Sequence, residues 1–236
     1  MRFNKSALIV LDGFGWRKES YGNAVAKAKK PFLDSLMKKN PWCLLEACGS
    51  KVGLPVNGLG GSEVGHTNLG AGRIVLQDLL EINKAIKDKS FFRNEALKKA
   101  FEHARQNESK LHLIGLVSDG GVHSHIDHLI ALLEACKKEK ITNVWIHGFS
   151  DGRDVKPKSA LEYFEKIENE IKRIGIGKIA SISGRSYAMD RDNRWFKAEL
   201  TYRIMTEGYA QKAKTVSEAI KKAYSKNETD EFIVPT

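Results

Sequence analysis

Cysteine is scarce in this chain. Its 236 residues include three, Cys43, Cys48 and Cys136, with no CxxC spacing. That odd, sparse set argues against a disulfide framework and a thiolate metal site, and buried free thiols are the expectation. Proline is also sparse, at 5, and the 20 glycines follow no repeat, which excludes collagen-like structure. Long apolar runs are missing. The run Ala7–Leu11 covers five residues, far short of the roughly 20 that span a bilayer. It is too short for a signal-peptide core, and Asp12 and Gly13 close it without a small-residue cleavage site. It is expected to be the first strand of a cytoplasmic protein. Basic runs are short as well. The net charge is +10, but lysines such as Lys137-Lys138 and Lys221-Lys222 alternate with glutamate on helical patterns, and no zinc-finger or RRM signature occurs. Binding to nucleic acid or membrane is therefore not expected. A small anionic ligand suits the charge better.

What is present is an ordinary globular composition, 42% hydrophobic and 29% charged, with a repeated local pattern. Four short apolar segments end in polar, glycine-rich clusters. Ala7–Leu11 runs into Asp12-Gly13, and 111–117 into Ser118-Asp119-Gly120-Gly121. Residues 144–149 run into Ser150-Asp151-Gly152-Arg153, and 178–182 into Ser183-Gly184-Arg185. Helical spacing separates them, in Leu129, Ile130, Leu132, Leu133 and Cys136, and again in Leu161, Phe164, Ile167, Ile171 and Ile174. Strand, polar loop and helix in alternation predict an α/β fold with a parallel sheet. Ligands of such sheets bind beyond the carboxyl ends of the strands, where all four clusters fall. Residues 49–72 hold eight glycines, implying tight turns and close backbone approach. The pattern turns helical after Arg73, through Leu76, Leu79, Leu80, Ile82 and Ile86, so a domain change near residue 76 is expected. The apolar run at Ile233-Val234 starts just before the sequence stops at Thr236.

Three groups of residues suit chemistry. In Gly60-Gly61-Ser62-Glu63-Val64-Gly65-His66 a hydroxyl sits among glycines, open to substrate and to backbone donors. The hydrolase elbow G-x-S-x-G is missed by one position, so Ser62 needs another activator. A metal held by Asp12 would serve, because coordination lowers the pKa of a hydroxyl. A serine in a glycine-rich loop can equally be structural. His123-Ser124-His125-Ile126-Asp127-His128 reads as H-x-H-x-D-H, the signature of zinc-dependent metallo-β-lactamase-type hydrolases. The glycine that follows in that family is replaced by Leu129-Ile130-Ala131-Leu132. The competing reading puts Asp127 and His128 in a helix's first turn and only His123 in a site. Arginines form the third group. Arg153 and Arg185 end separate predicted strands, and Arg191 and Arg194 lie in Asp190-Arg191-Asp192-Asn193-Arg194. Guanidinium forks grip carboxylate and phosphate oxygens in pairs, so a compact ligand with several negative charges is implied. Asp154 beside Arg153 suits a general base tuned by that arginine. His103, His112 and His147 stand in helical or strand patterns and read as structural.

Taken in order, LDGFG at 11–15, GGSEVGHTNLGAGR at 60–73, SDGGVHSHIDH at 118–128, SDGRD at 150–154 and SGRSYAMDRDNRW at 183–195 closely resemble the cofactor-independent (2,3-bisphosphoglycerate-independent) phosphoglycerate mutases of the alkaline phosphatase superfamily. The resemblance runs from Leu8 to Thr236. It implies a three-layer parallel-sheet architecture in two domains, the first incomplete. Residues 1–76 would be the first segment of a phosphatase-type domain, and 77–236 most of an inserted transferase-type domain. It also implies interconversion of 2- and 3-phosphoglycerate in glycolysis, by a cytoplasmic, monomeric enzyme of about twice this length with two divalent ions, commonly manganese. Ser62 would carry the phosphoryl group, and Asp12 and Ser62 would bind one metal. His123, Arg153, Asp154, Arg185 and Arg191 would hold substrate, with Asp154 accepting a proton. Gly61 departs from the asparagine usual before the serine. Further ligands are expected in the family's second half, so this piece alone is expected to be inactive.

Overall fold

The computed structural model describes residues 5–56 and 58–236. The chain divides into two compact units, one ending at Leu80 and one spanning Glu81–Thr236.

Among the described residues, the first unit carries the α-helices α1 (Ala24–Lys27), α2 (Pro31–Lys39) and α3 (Ser62–Ala71). The Asn23 side chain accepts from Ala26 N to cap α1, and Pro31 opens α2 where no N–H is needed. Gly53 holds φ +83° with its α-carbon against the Val75 carbonyl, a contact any β-carbon would abolish. Two expectations change here. The glycine-rich stretch is not all turn, because α3 runs through Gly65 and Gly70. Residues 7–11 form no strand. Leu8 and Ile9 stay about 80% exposed, at 78% and 80%. Apolar alternation cannot make a strand alone, since the ladder needs a neighbour's N–H and C=O groups, and none among the described residues supplies them.

Next come α4 (Asp78–Lys87) and α5 (Glu95–Gln106), the latter capped by the Asn94 side chain. Three parallel strands follow, β1 (Leu111–Leu116), β2 (Val144–Ser150) and β3 (Lys178–Gly184), in the order β1-β2-β3. α6 (Ile126–Lys138) crosses from β1 to β2, and α7 (Ala160–Ile174) from β2 to β3. Each expected strand and helix of this region is present, in the α/β arrangement the sequence predicts. α8 (Arg185–Ala188), α9 (Trp195–Thr206) and α10 (Val216–Ser225) complete the unit. Residues 233–236 lie alongside β3: Gly184 N donates to Ile233 O, and Ile182 and Thr236 exchange backbone bonds in both directions.

The core lies between one sheet face and α6, α7 and α10. Leu133, Cys136, Phe164, Ile167 and Ile220 are completely buried, beside Leu113, Ile146 and Ile182 of the strands. Each large side chain contributes about 1.5–3 kcal/mol by leaving water. Gly148 is where α7 meets the sheet, because a β-carbon there would fall 2.6 Å from Phe164 Cε1. On the opposite sheet face, His112 and Ile114 are exposed. Of the cysteines only Cys136 is buried, and burial pushes its thiol up to about 11. Cys43 and Cys48 are exposed, so the expectation of buried thiols fails for both.

Candidate functional site

In the first unit Ser62 opens α3. The preceding Gly61 is extended and gives no side-chain cap. The Ser62 hydroxyl donates to Asp12 Oδ2 at 2.6 Å, across fifty positions of sequence, and lies 3.3 Å from His66 Nδ1 one helical turn on. His66 Nδ1 is also 2.8 Å from the Ser62 carbonyl. Asp12 and Ser62 thus meet as the sequence suggested, and His66 joins them by its i+4 spacing. Two hard oxygen donors this close fit one edge of a divalent cation. Among the described residues, no three His, Cys, Asp or Glu side chains form a metal-holding group.

The second unit collects its polar clusters at the carboxyl ends of β1, β2 and β3. A buried carboxylate, Asp151, ties them together. It accepts from Ser118 Oγ after β1 at 2.6 Å, from the backbone N–H of Arg153 and Asp154 at 3.1 and 3.0 Å, and from Arg185 after β3 at 2.7 Å. Burial alone pushes its carboxyl up. The hydrogen bonds from Ser118, Asp154, Arg185 and Arg153 together outweigh that and hold it below the ordinary carboxylate range. Sequence reading passed over Asp151. The only signal was its place between two named loop residues, inside Ser150-Asp151-Gly152-Arg153.

Arg185 is itself buried, and the same guanidinium nitrogen reaches Asp154 Oδ2 at 2.6 Å. The arginine that pairs with Asp154 is therefore Arg185 rather than its sequence neighbour Arg153. His123 Nε2 stands 3.8 Å from that Asp154 oxygen. A cleft of about 350 Å³ opens here, lined by His123, Arg153, Arg185, Arg191, Arg194 and Glu231 among others. Arg194 is spent on Asp190 and Asp192, while Arg153 and Arg191 are exposed. Of the substrate-binding residues expected from sequence, His123, Arg153, Arg185 and Arg191 line this cleft, and Asp154 touches it through Arg185 and His123. Two close approaches shape it. A β-carbon at Gly152 would fall 2.8 Å from Asp230 Cβ, and one at Gly184 would fall 2.5 Å from Glu231 O.

The H-x-H-x-D-H run does not form a metal centre. His125 is the N-cap of α6, its ring accepting from Asp127 N. Asp127 pairs with Lys166 at 3.1 Å, and His128 Nε2 lies 2.7 Å from Asn83 Oδ1. Burial, then the charge of His125, pulls His128 below its usual pKa. The helix start turns these side chains to different partners, leaving His123 alone at the cleft. The zinc-hydrolase reading falls with that geometry. His147 is likewise structural: buried, with Nδ1 2.8 Å from Ser181 Oγ and Nε2 2.9 Å from His112.

Comparison with known proteins gives a consistent answer. Residues 82–236 match the family described as BPG-independent PGAM N-terminus. The chain is 55% identical over 229 residues to the 2,3-bisphosphoglycerate-independent phosphoglycerate mutase of Clostridium beijerinckii, covering 97% of this chain and 45% of that protein. For the Listeria innocua protein of the same name the identity is 52%, with the same coverage. A phosphoglycerate mutase of Leishmania mexicana, solved at low cobalt concentration, superposes with a TM-score of 0.74 at 33% identity, over 89% of this chain and 40% of that one. The chain spans less than half the length of these relatives.

Proposed function

This chain belongs to the BPG-independent phosphoglycerate mutase family, and from that premise we propose that it forms part of an enzyme interconverting 2- and 3-phosphoglycerate. The observation that carries the reading is the cleft at the strand ends, where Arg185 is fixed between two carboxylates and Arg153 and Arg191 face outward. Such a cleft suits a small acid bearing a carboxylate and a phosphate.

Each unit supplies one part of the reaction. Ser62 is the phosphoryl acceptor: its Oγ forms the new bond to phosphorus as the ester oxygen of phosphoglycerate leaves. The return transfer goes to the other hydroxyl of the retained glycerate. Ser62 gives up a proton in the first transfer and regains one in the second. The departing glycerate oxygen takes up a proton in the first transfer as Ser62 gives one up, and Asp154 takes the proton of the attacking glycerate hydroxyl in the second as Ser62 regains one, so the isomerisation is proton-neutral. His123, Arg153, Arg185 and Arg191 hold the anionic groups, and catalysis rests on positioning and charge neutralisation, as phosphoryl transfer requires. Asp12 and Ser62 would hold one divalent ion, manganese being our assignment, with a second ion elsewhere in the longer protein. When bound, the ion lowers the pKa of the serine hydroxyl and offsets phosphate charge. We assign residues 1–76 to a phosphatase-type domain, as its opening segment, and residues 77–236 to a transferase-type domain. We place the enzyme in cytoplasmic glycolysis as a monomer. No helix among the described residues is long and apolar enough to cross a membrane.

The test is conversion of 3-phosphoglycerate to 2-phosphoglycerate, coupled to its dehydration, by an enzyme containing this chain. Ser62→Ala is expected to abolish turnover and the covalent phosphate detected by mass spectrometry. Normal turnover by Ser62→Ala refutes the proposal. The 236-residue polypeptide by itself is expected to bind phosphoglycerate without converting it.

A further inference from the structure

The arginine cleft contains an acid that binding an anion does not call for. Glu231 lines it, with its side chain 24% exposed and its carboxylate 4.0 Å from Arg153. The other acids of the lining are engaged elsewhere. Asp192 pairs with Arg194, and Asp190 accepts from the backbone N–H groups of Asp192 and Arg194. Arg153 is the one ion-pair partner of Glu231 among the described residues, at the outer limit of such contacts.

Glu231 cannot withdraw easily, because its backbone is pinned on both sides. The preceding Asp230 is completely buried. One of its carboxylate oxygens accepts from Ser159 N and Ala160 N, at 2.7 and 2.8 Å, at the start of α7. The other accepts from Tyr224 Oη of α10 at 2.5 Å. Its backbone O accepts from Ser150 Oγ at the end of β2, at 2.7 Å, and its N donates to Pro157 O. On the far side, buried Ile233 accepts from Gly184 N at 2.7 Å. The space that β-carbons would take at Gly152 and Gly184 is filled by Asp230 Cβ and Glu231 O. A segment wedged between two strand ends thus presents one negative charge to a cleft otherwise built for anions.

We propose that Glu231 is the specificity-determining residue of this cleft: a fixed negative charge that admits a glycerate bearing one phosphate and disfavours one bearing two. The proposal rests on the phosphoglycerate reading and deepens it. A ligand with a carboxylate and one phosphate has two anionic groups to place, and Arg185, Arg191 and the donors of Arg153 that Glu231 leaves free can take them. A second phosphate must displace Glu231 from Arg153 or lie against it. Like charges this close, partly shielded from water, repel enough to change affinity severalfold. Asp230 acts here as a positioning residue, through Glu231.

The experiment is calorimetric titration of the 236-residue chain with 3-phosphoglycerate and with 2,3-bisphosphoglycerate. Glu231→Gln keeps the shape and removes the charge. It is expected to tighten the bisphosphate about tenfold and the monophosphate threefold or less. Asp230→Ala, which frees the segment, is expected to lower the same discrimination, and Asp230→Asn, which keeps an acceptor for Ser159 and Ala160, to restore it. Equal tightening of both ligands by Glu231→Gln, or no change in either, overturns the proposal. If 3-phosphoglycerate binding is still lost on Arg185→Ala in that case, the phosphoglycerate reading stands without it. Absence of binding of both ligands to both the unsubstituted chain and Glu231→Gln overturns the two together. Discrimination that survives Asp230→Ala overturns the pinning role.

Discussion

Asp151 offers a sharp test of how the cleft is held. Its carboxylate accepts four hydrogen bonds, from Ser118, Arg153 N, Asp154 N and Arg185, and its side chain is 1% exposed beside an Arg185 side chain that is 8% exposed. Asp151→Ala leaves two backbone N–H groups and one hydroxyl without their acceptor and Arg185 with Asp154 as its only counter-ion. Breaking a buried pair from one side costs about 3–5 kcal/mol, which for a domain of this size lowers Tm by about 10 °C. Asp151→Asn keeps an acceptor for the two N–H groups and removes the charge, so it is expected to cost less, about 1.5–3 kcal/mol. Because the hydrogen bonds hold this carboxyl below its ordinary value, its contribution is complete above the unfolded pKa near 3.9. It fades as pH falls below about 4, through the folded value. Denaturant unfolding of both variants at pH 7 and pH 3 provides the measurement, with 3-phosphoglycerate titration as a second readout. In each variant the loss of binding should match that of Arg185→Ala in direction. A loss below 1 kcal/mol for Asp151→Ala at pH 7, or binding unchanged in both variants, would falsify the role given to this residue.

Three other outcomes are expected. Gly148→Ala drives a methyl into Phe164 and should destabilise the second unit by about 1–3 kcal/mol in denaturant melts; a neutral result would mean that α7 shifts freely on the sheet. Burial, then the charge of His112, holds His147 below its usual pKa, so the unfolded chain takes up a proton near pH 6.5 that the folded chain refuses. Stability should therefore fall as pH drops from about 6.5, by up to about 1.4 kcal/mol per pH unit from this group, and His147→Gln should flatten that slope. His125→Ala removes the cap of α6, with a cost of about 1 kcal/mol, and should leave zinc content by mass spectrometry unchanged. Loss of stoichiometric zinc on that substitution would restore the hydrolase reading.

The sequence by itself determined the strands of the second unit and the helices that cross between them. Short apolar runs of Val, Ile and Leu ending in polar glycine-rich clusters, alternating with helical spacing, specify strands, loops and crossover helices locally, and β1, β2, β3, α6 and α7 follow from them. Arg153, Asp154 and Arg185 were legible because their places at strand ends are one-dimensional facts. Tertiary structure decided which charges meet. Arg185, rather than Arg153, engages Asp154, and Asp151 gathers three loops, because each bond joins strands that are neighbours in the sheet but about thirty residues apart in sequence. Asp230 and Glu231 reach the cleft from still farther along the chain, wedged where two glycines leave room. Residues 7–11 show the same limit from the other side. Their pattern gives a strand's preference, but a strand exists only where a neighbour completes its hydrogen bonds, and a neighbour is a property of the fold.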